Sequence, residues 1–374
     1  MPSSTSGSGM DDRRLRLAVD ARELLGQRTG VGRYLTELLD VWQADPGWPH
    51  RVTLVVPAPP PADLTTRYSR AAWEVEPAGT AGTWWEQARL PRAVRRLGAD
   101  VLFCPAYTGP LRLSCPMVIT IHDLSYFAHP EWFSWREGTR RRWLTRAAAG
   151  RAAAILTDAD VTAAEIVERL DVSRARVQAV PLGAPAPSRQ GAARREPIVL
   201  YVGSLFERRR LPDLVQAFAA IAVDHPAARL VLVGQDRSRR GIDPIALAGR
   251  HGIATRVEWH PYLPEADLAA LYARARVFAF LSEYEGFGLT PLEAMAAGVP
   301  PVVLDTPIAR EVYGEAATYV TADSRAIADA VGHLLGDDGR HAELSAKARR
   351  RAGAMSWVET ARVTRTVIEK AARP

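Results

Sequence analysis

The sequence predicts an α/β protein made of two successive domains, each built on a parallel sheet with helices on both faces. Three observations lead to this prediction. The chain has 374 residues, which is more than a single hydrophobic core usually organises. Short apolar runs alternate with longer helical patterns along most of it. The proline-rich, charged stretch 184–197 interrupts this alternation, which then restarts, and such a stretch is typical of a linker.

The first series of elements follows a small, polar tail, residues 1–12, which we expect to be disordered. A turn-rich loop, 26–32, comes after the first strand, and the apolar positions of a helix begin at Tyr34. Asp20 and Arg22, where the first strand ends, are expected to be structural or at best to face a ligand of this first domain. The predicted strands of this series are 15–20, 51–56, 101–104, 117–121, 153–157 and 177–181.

The second series repeats the pattern and gives the predicted domain boundaries. Its predicted strands are 198–202, 229–233, 256–260, 277–281 and 301–304, and its helices begin near 212, 244, 265, 291, 324 and 357. The resulting organisation is a tail 1–12, a first α/β domain 13–183, a linker 184–197, a second α/β domain 198–355, and a helix 356–374 that crosses back to the first domain. Ligands of such sheets bind beyond the carboxyl ends of the strands, here in a cleft between the domains.

Composition excludes several classes of protein. Hydrophobic residues make up 47% and charged residues 24%, so most of the chain is not intrinsically disordered. No apolar run is long enough to span a bilayer, and a cytoplasmic protein is expected. The net charge of +6 favours anionic partners without choosing among them. The two cysteines and eight histidines lack metal-type spacing, so no metal site is predicted.

The most informative stretch is SEYEGFGLTPLEAMAAGVPP, residues 282–301. Gly286 and Gly288 allow the backbone to pass close to a ligand before a helix begins. Thr290 as the cap and Glu293 three residues later would form a capping box. The same helix N-terminus could instead face a phosphate, and both interpretations can hold together.

Glu285 and Glu293, with seven residues between them in EGFGLTPLE, resemble the E-x7-E signature of the retaining glycosyltransferases of family 4. TGVGRYLTELL, ITIHDLSYFAHPEWF, VPLGAP and YVGSLFERRRLPDL resemble further segments of this family, in the family's order, so that the resemblance covers nearly the whole chain. It implies the GT-B fold, two Rossmann-like domains with a central cleft, in which the second domain binds the donor and the first binds the acceptor.

The resemblance also implies roles for individual residues. Glu293 would hold the ribose of the donor, and Glu285 would hold the hydroxyls of the transferred sugar. Arg208 and Arg209 stand where the family usually has Arg-Lys, and they would neutralise the departing diphosphate. The implied donor-binding set is Gly203, Arg208, Arg209, Glu285, Gly286, Phe287, Gly288, Leu289, Thr290 and Glu293. The implied catalytic residues are His122, Glu285, Arg208 and Arg209, and the implied cleft or acceptor residues are Gly30, Val31, Gly32, His122 and Asp123.

The activity implied is retaining, metal-independent transfer of a hexose from a nucleoside-diphosphate sugar to a hydroxyl of a glycan or lipid-linked acceptor. Because the segments resemble mannosyltransferases of bacterial surface glycans, GDP-mannose is the first expected donor. No cofactor is expected. Two alternatives stay open at this point: a phosphorylase or epimerase of the same fold, and a non-catalytic basic binding protein.

A basic aromatic region allows two interpretations. Its aromatic residues are Trp132, Phe133, Trp135 and Trp143, and its arginines are Arg136, Arg140, Arg141, Arg142 and Arg146. Such a segment could lie on an anionic membrane surface, which would make the protein peripheral on the inner face of the membrane. It could equally be an ordinary amphipathic helix with its aromatic residues in the core. No nucleic-acid-binding module is recognisable, so nucleic acid is not an expected partner.

Overall fold

The computed structural model describes residues 14–26, 30–77, 82–185, 195–239 and 241–373. The predicted disordered tail and most of the predicted linker therefore lie outside the described residues. Contacts divide the chain into two compact units. The first comprises Met1–Ile121, Arg141–Leu156 and Ala361–Pro374, and the second comprises His122–Arg140 and Thr157–Thr360. The domain boundaries proposed from the sequence remain a prediction.

Two parallel sheets form, as predicted. The strands of the first are β1 (Arg16–Asp20), β2 (Arg51–Val56), β3 (Ala72–Val75), β4 (Val101–Cys104), β5 (Met117–Thr120), β6 (Ala154–Thr157) and β7 (Val177–Ala179). Those of the second are β8 (Ile198–Val202), β9 (Arg229–Val233), β10 (Val257–His260), β11 (Val277–Phe280), β12 (Pro301–Leu304) and β13 (Thr318–Val320). The orders are β3-β2-β1-β4-β5-β6-β7 and β10-β9-β8-β11-β12-β13. All neighbouring strands of the second sheet pair in parallel.

Helices connect the strands. They are α1 (Gly30–Ala44), α2 (Ala62–Arg67), α3 (Leu90–Arg96), α4 (Ser125–Ala128), α5 (Trp135–Arg151), α6 (Asp160–Leu170), α7 (Leu211–Asp224), α8 (Pro244–Arg250), α9 (Glu265–Arg274), α10 (Leu289–Ala296), α11 (Pro307–Tyr313), α12 (Ser324–Gly336), α13 (Asp338–Gly353) and α14 (Trp357–Ala372). Strands β4, β5, β8, β11 and β12 are buried along their whole length, because helices cover both faces of such a sheet.

The structure corrects several local predictions. Strands β3 and β13 were not predicted; both are short edge strands without a continuous buried run, so their apolar signal is weak. Helix α1 begins at Gly30, whereas the sequence predicted a loop as far as Gly32. The prediction began the helix at its first apolar-periodic position, and the glycine turn before that position has no such pattern. Helix α10 begins at Leu289 rather than near 291.

Each sheet has one point where the chain changes direction across it, and ligands of such folds bind at this point. In the first sheet it lies between β1 and β4, because β2 continues to one side of β1 and β5 to the other side of β4. In the second sheet it lies between β8 and β11 for the same reason. Ligand sites are therefore expected at the carboxyl ends of these strand pairs.

A buried ionic cluster occupies the carboxyl end of β1 in the first unit. The guanidinium of Arg22 lies 2.7 Å from the Asp20 carboxylate and also pairs with Glu86, to which Thr108 donates a hydrogen bond of 2.8 Å. Glu86 belongs to a π-helical turn, Trp85–Arg89. Burial raises the pKa of Asp20 to about 6, although Arg22 opposes the rise and Glu86 adds to it. One cation thus holds two buried carboxylates, which agrees with a structural role for Asp20 and Arg22.

This cluster predicts a pH-dependent stability. Because the folded pKa of Asp20 lies above its ordinary value of 3.8, its protonated form is favoured in the folded state. Its stabilising contribution is complete below pH 3.8 and is lost as the pH rises towards about 6. Relative to Asp20→Asn, we expect the free energy of unfolding of the wild type to fall by up to about 3 kcal/mol over this range. Urea unfolding of both proteins at several pH values measures the difference, and a difference that does not change with pH would contradict the assignment.

Candidate functional site

Three of the predicted donor-binding residues, Gly203, Arg209 and Glu285, meet at the point in the second sheet where the chain changes direction. Gly203 follows β8, Glu285 lies in the loop after β11, and α10 begins at the end of that loop. Gly203 has φ of 145°, and a Cβ at this position would lie 2.1 Å from Nη1 of Arg209. The absence of a side chain at 203 therefore makes room for the guanidinium.

Arg209 and Glu285 form a largely buried ion pair. Nη2 of Arg209 lies 3.1 Å from Oε1 of Glu285, with side-chain exposures of 13% and 19%. Ser282 donates a hydrogen bond of 2.8 Å to the same oxygen, and Nη1 of Arg209 donates one of 3.2 Å to the carbonyl of Ser204. Burial alone would lower the pKa of Arg209, but Glu285 and Tyr201 raise it above its ordinary value. The guanidinium is thus a fixed positive charge.

Arg208 lies beside this pair in a different environment. Its guanidinium carbon lies 4.3 Å from the ring centroid of Phe206 and 5.6 Å from that of Trp132. Its Nε is buried and has no hydrogen-bond partner among the described residues. Cation–π contacts hold the guanidinium in place next to the Arg209–Glu285 pair in the chain, where its positive charge can attract an anion.

The loop before α10 is held in a glycine-dependent conformation. Gly288 has φ of 94°, and Tyr313 donates hydrogen bonds of 3.3 Å and 3.1 Å to the carbonyls of Phe287 and Gly288. The N-cap residue is Gly288, which has no side chain to cap the helix. The capping box predicted for Thr290 and Glu293 is therefore wrong: α10 begins one residue before Thr290, which places both residues beyond the capping positions.

Glu293 has another partner instead. The hydroxyl of Tyr272, on α9, donates a hydrogen bond of 3.0 Å to Oε2 of Glu293. The Glu293 carboxylate is thus oriented by a residue of a neighbouring helix and does not cap the N-terminus of α10. A carboxylate held in this way can accept hydrogen bonds from a pair of hydroxyl groups. The ribose-binding role implied by the family resemblance stays a prediction.

A close backbone approach joins the loop of Glu285 to the segment after β5. A Cβ at Gly286 would lie 1.8 Å from the carbonyl oxygen of His122 and 3.1 Å from Cβ of Asp123. The carbonyl of Gly286 accepts a hydrogen bond of 3.3 Å from Thr162. Only glycine fits at position 286, because both facing groups are backbone or close to it. The predicted catalytic His122 therefore lies next to the predicted donor loop.

His122 is itself held by a residue that the sequence did not identify. Its Nδ1 lies 2.8 Å from Oδ2 of Asp158, and both side chains are buried. Asp158 follows β6, which pairs with β5, so the two residues leave neighbouring strands at the same edge of the sheet. Burial raises the pKa of Asp158, His122 opposes the rise, and Asp123 adds to it.

Tyr284 forms a second connection between the same segments. Its hydroxyl donates to Glu165 and accepts a hydrogen bond of 3.2 Å from the backbone N–H of Leu124. Its ring meets the stacked rings of His129 and Trp132 edge-on, at 5.4 Å and 6.4 Å. Burial and the Glu165 contact raise the pKa of Tyr284, so it remains a neutral hydrogen-bonding group.

The remaining predicted residues lie in the first unit. Gly30, Val31 and Gly32 form the first turn of α1, and the carbonyl of Gly32 accepts a hydrogen bond of 2.8 Å from Thr36.

As for metals, the residues that the structure describes contain no group of three or more His, Cys, Asp or Glu side chains that could hold an ion.

Sequence reasoning missed the side chains that orient the predicted ones: Tyr272, Ser282, Tyr313 and Asp158. For Asp158 a usable signal exists, since this acidic residue directly follows a buried strand. For Tyr272 and Tyr313 the sequence has no such signal, because their partners are 21 and 25 or 26 positions away.

Comparison with known proteins identifies the family of the chain. Residues 186–351 match the family described as glycosyl transferases group 1, and residues 28–186 match glycosyltransferase family 4. The chain is 30% identical to the O-antigen chain mannosyltransferase B of Escherichia coli over 273 residues, 68% of this chain and 70% of the relative. It is 27% identical to the GDP-mannose:cellobiosyl-diphosphopolyprenol alpha-mannosyltransferase of Xanthomonas campestris over 54% of this chain and 52% of the relative. For several other curated relatives it spans about half of their length.

Solved structures show the same fold at low sequence identity. HepE from Anabaena, in complex with UDP and glucose, superimposes with a TM-score of 0.75 at 17% identity, covering 96% of this chain and all of the other. The two parallel α/β sheets are thus those of the GT-B fold. Together, the matched segments, the extent of the mannosyltransferase alignment and the shared fold show that the chain belongs to the group 1 glycosyltransferases, with the family 4 type of N-terminal region.

Proposed function

We propose that this glycosyltransferase uses a nucleoside-diphosphate sugar and transfers its hexose, with retention and without a metal, to a hydroxyl of a glycan or lipid-linked acceptor. The observation that carries the proposal is the ion pair between Arg209, which follows β8, and Glu285, which follows β11, with Arg208 adjacent in the chain. This constellation supplies cations for a diphosphate and a carboxylate for sugar hydroxyls within one loop cluster.

The two arginines have different tasks. The leaving nucleotide gains negative charge as its bond to the sugar breaks, so fixed positive charge at that point lowers the barrier. Arg209 is engaged by Glu285, which fixes its position, and Arg208 keeps a buried donor without a partner among the described residues. Two cations that are already oriented remove the need for a metal ion in this role.

The start of α10 supplements these charges. The N-cap residue Gly288 has no side chain to cap the helix, and the N-terminus of a helix favours negative charge through its dipole and unpaired N–H groups. Phe287 and Gly288 immediately precede it, with their carbonyls held by Tyr313. The diphosphate is proposed to bind against this end of the helix, with Glu293 holding the ribose.

The donor and the stereochemistry rest on relatives. GDP-mannose is the first donor to test, because the relatives from Escherichia coli and Xanthomonas campestris are named as mannosyltransferases and the name of the latter includes GDP-mannose. HepE was crystallised with UDP, so the base requires direct measurement. Retention rests on the E-x7-E resemblance. In the corresponding front-face mechanism, a phosphate oxygen of the leaving group takes the acceptor proton.

The proposal predicts a large effect of removing the cation at position 208. In Arg208→Gln, kcat of hexosyl transfer should fall by about 10²- to 10³-fold, because the developing charge loses a donor that was already oriented. Arg250→Gln, on an exposed face of α8, is the matched control and should transfer at the wild-type rate. A radiolabelled-donor assay and a thermal melt measure both variants. Wild-type turnover in a folded Arg208→Gln would contradict the proposed role.

The same assay separates the alternative activities. A phosphorylase would use orthophosphate as the acceptor and release a sugar phosphate. An epimerase would change the sugar of the donor without any acceptor. We expect neither product.

We further propose that α5 contacts an anionic membrane surface. Trp135 and Trp143 are 78% and 61% exposed, so the interpretation that placed these aromatic residues in the core is wrong for both. Trp132, in contrast, precedes the helix and stacks on His129. The helix contains six arginines and one acidic residue, Glu137. Exposed tryptophans together with excess arginine suit a lipid interface. Among the described residues, no helix has the length and hydrophobicity to cross a bilayer.

Vesicle binding tests this surface. The double variant Trp135→Ala, Trp143→Ala should lose most of its sedimentation with vesicles containing phosphatidylglycerol. The reason is that it lacks the two aromatic side chains that would insert into the lipid interface. Tyr262→Ala removes another exposed aromatic residue, with an exposure of 75%, and should bind like the wild type. Equal binding of wild type and double variant, or equal binding of the wild type to neutral and anionic vesicles, would contradict the proposal.

A further inference from the structure

We propose that Asp158 is a positioning residue for sugar transfer: its carboxylate holds the His122 ring as the tautomer protonated at Nδ1, so that Nε2 accepts a hydrogen bond from a hydroxyl of the transferred sugar. The inference rests on the proposed function for the identity of the ligand. It adds a residue that neither the resemblance nor the relatives assign.

In the proposed arrangement Asp158 is ionised, and this sets the direction of the hydrogen bond. Nδ1 of His122 and Oδ2 of Asp158 are 2.8 Å apart. An ionised carboxylate can only accept, so the ring donates through Nδ1. A neutral imidazole has one donor and one acceptor nitrogen, and engagement of Nδ1 as the donor leaves Nε2 as the acceptor.

The surroundings keep the pair in place. Only 9% of His122 and 3% of Asp158 is exposed, and burial strengthens a hydrogen bond between such groups. The negative charge of Asp123, the residue after His122, also raises the pKa of Asp158. Its Oδ1 accepts a hydrogen bond of 2.8 Å from the N–H of Ser125, which fixes the segment that follows the ring.

The backbone places His122 where a sugar would lie. Its carbonyl packs against Gly286 so closely that no Cβ fits there. Gly286 is the residue after Glu285, the carboxylate proposed to hold the hydroxyls of the transferred sugar. In the proposed site, this buried Asp–His pair beside the loop sets the protonation state in which the ring of His122 meets the donor.

Ring nitrogen NMR of the free protein tests the tautomer directly. We use protein labelled with ¹⁵N at histidine, and His122→Gln assigns the His122 signals among the eight histidines. We expect a protonated Nδ1 and an acceptor Nε2 in the wild type. A wild type with its proton on Nε2 would overturn the inference without any need for a variant to fold.

Kinetics of matched variants test the consequence. Asp158→Asn should lower kcat by about 10- to 100-fold, the effect of losing a hydrogen bond to a charged group, with the donor KM within about twofold and a changed tautomer signal. Asp160→Asn makes the same change two residues further on, on a side chain that is 76% exposed, and should alter neither readout. A folded Asp158→Asn with wild-type kcat and tautomer would overturn the inference.

The failure of the proposed function has a different signature. If no nucleotide sugar binds or turns over in the wild type, the proposed function fails, whatever the tautomer. If donors bind and turn over but His122→Gln transfers at the wild-type rate, the role of the His122 ring fails, and the positioning role of Asp158 fails with it.

Discussion

The candidate site depends on the ion pair between Arg209 and Glu285, because it ties together the segments that leave two adjacent strands. Arg209 follows β8 and Glu285 follows β11, and these strands are neighbours although almost eighty residues separate them in the chain. Removing one member of a buried pair typically costs about 3–5 kcal/mol, since the other charge remains without a partner. The pair therefore fixes both the cation and the carboxylate before any donor arrives.

Glycines make the rest of this arrangement possible. At Gly203 the missing side chain leaves room for the Arg209 guanidinium, and at Gly286 it allows the backbone of His122 to approach. At Gly288 the left-handed conformation turns the chain into α10. Each glycine thus has its own steric reason, which explains why the stretch contains glycine at two alternate positions before a helix.

Much of the fold follows from the sequence, because continuous apolar runs of four to six residues indicate buried parallel strands. Strands β2, β4, β8, β9 and β12 have the predicted bounds. Edge strands β3 and β13 do not have such runs, so the apolar pattern of a single sequence does not reveal these two strands. The candidate donor residues were found through the family resemblance, and the structure brings Gly203, Arg209 and Glu285 together. Tyr272 was not found, since its partner is set by the packing of separate elements. Asp158 directly follows a buried strand, which is a usable signal for a site residue, but its pairing with His122 also depends on packing.

The central claim is that the loop and helix from Glu285 to Glu293 form a nucleotide-sugar site. Calorimetric titration without added metal tests it most directly, with GDP-mannose, UDP-glucose, UDP-galactose, UDP-N-acetylglucosamine and ADP-glucose against the wild type and Glu293→Gln. The account predicts that one donor binds preferentially and that Glu293→Gln weakens its binding at least about tenfold, the effect of losing a hydrogen bond to a charged group. Equal affinity in wild type and variant, or no binding of any donor, would contradict it.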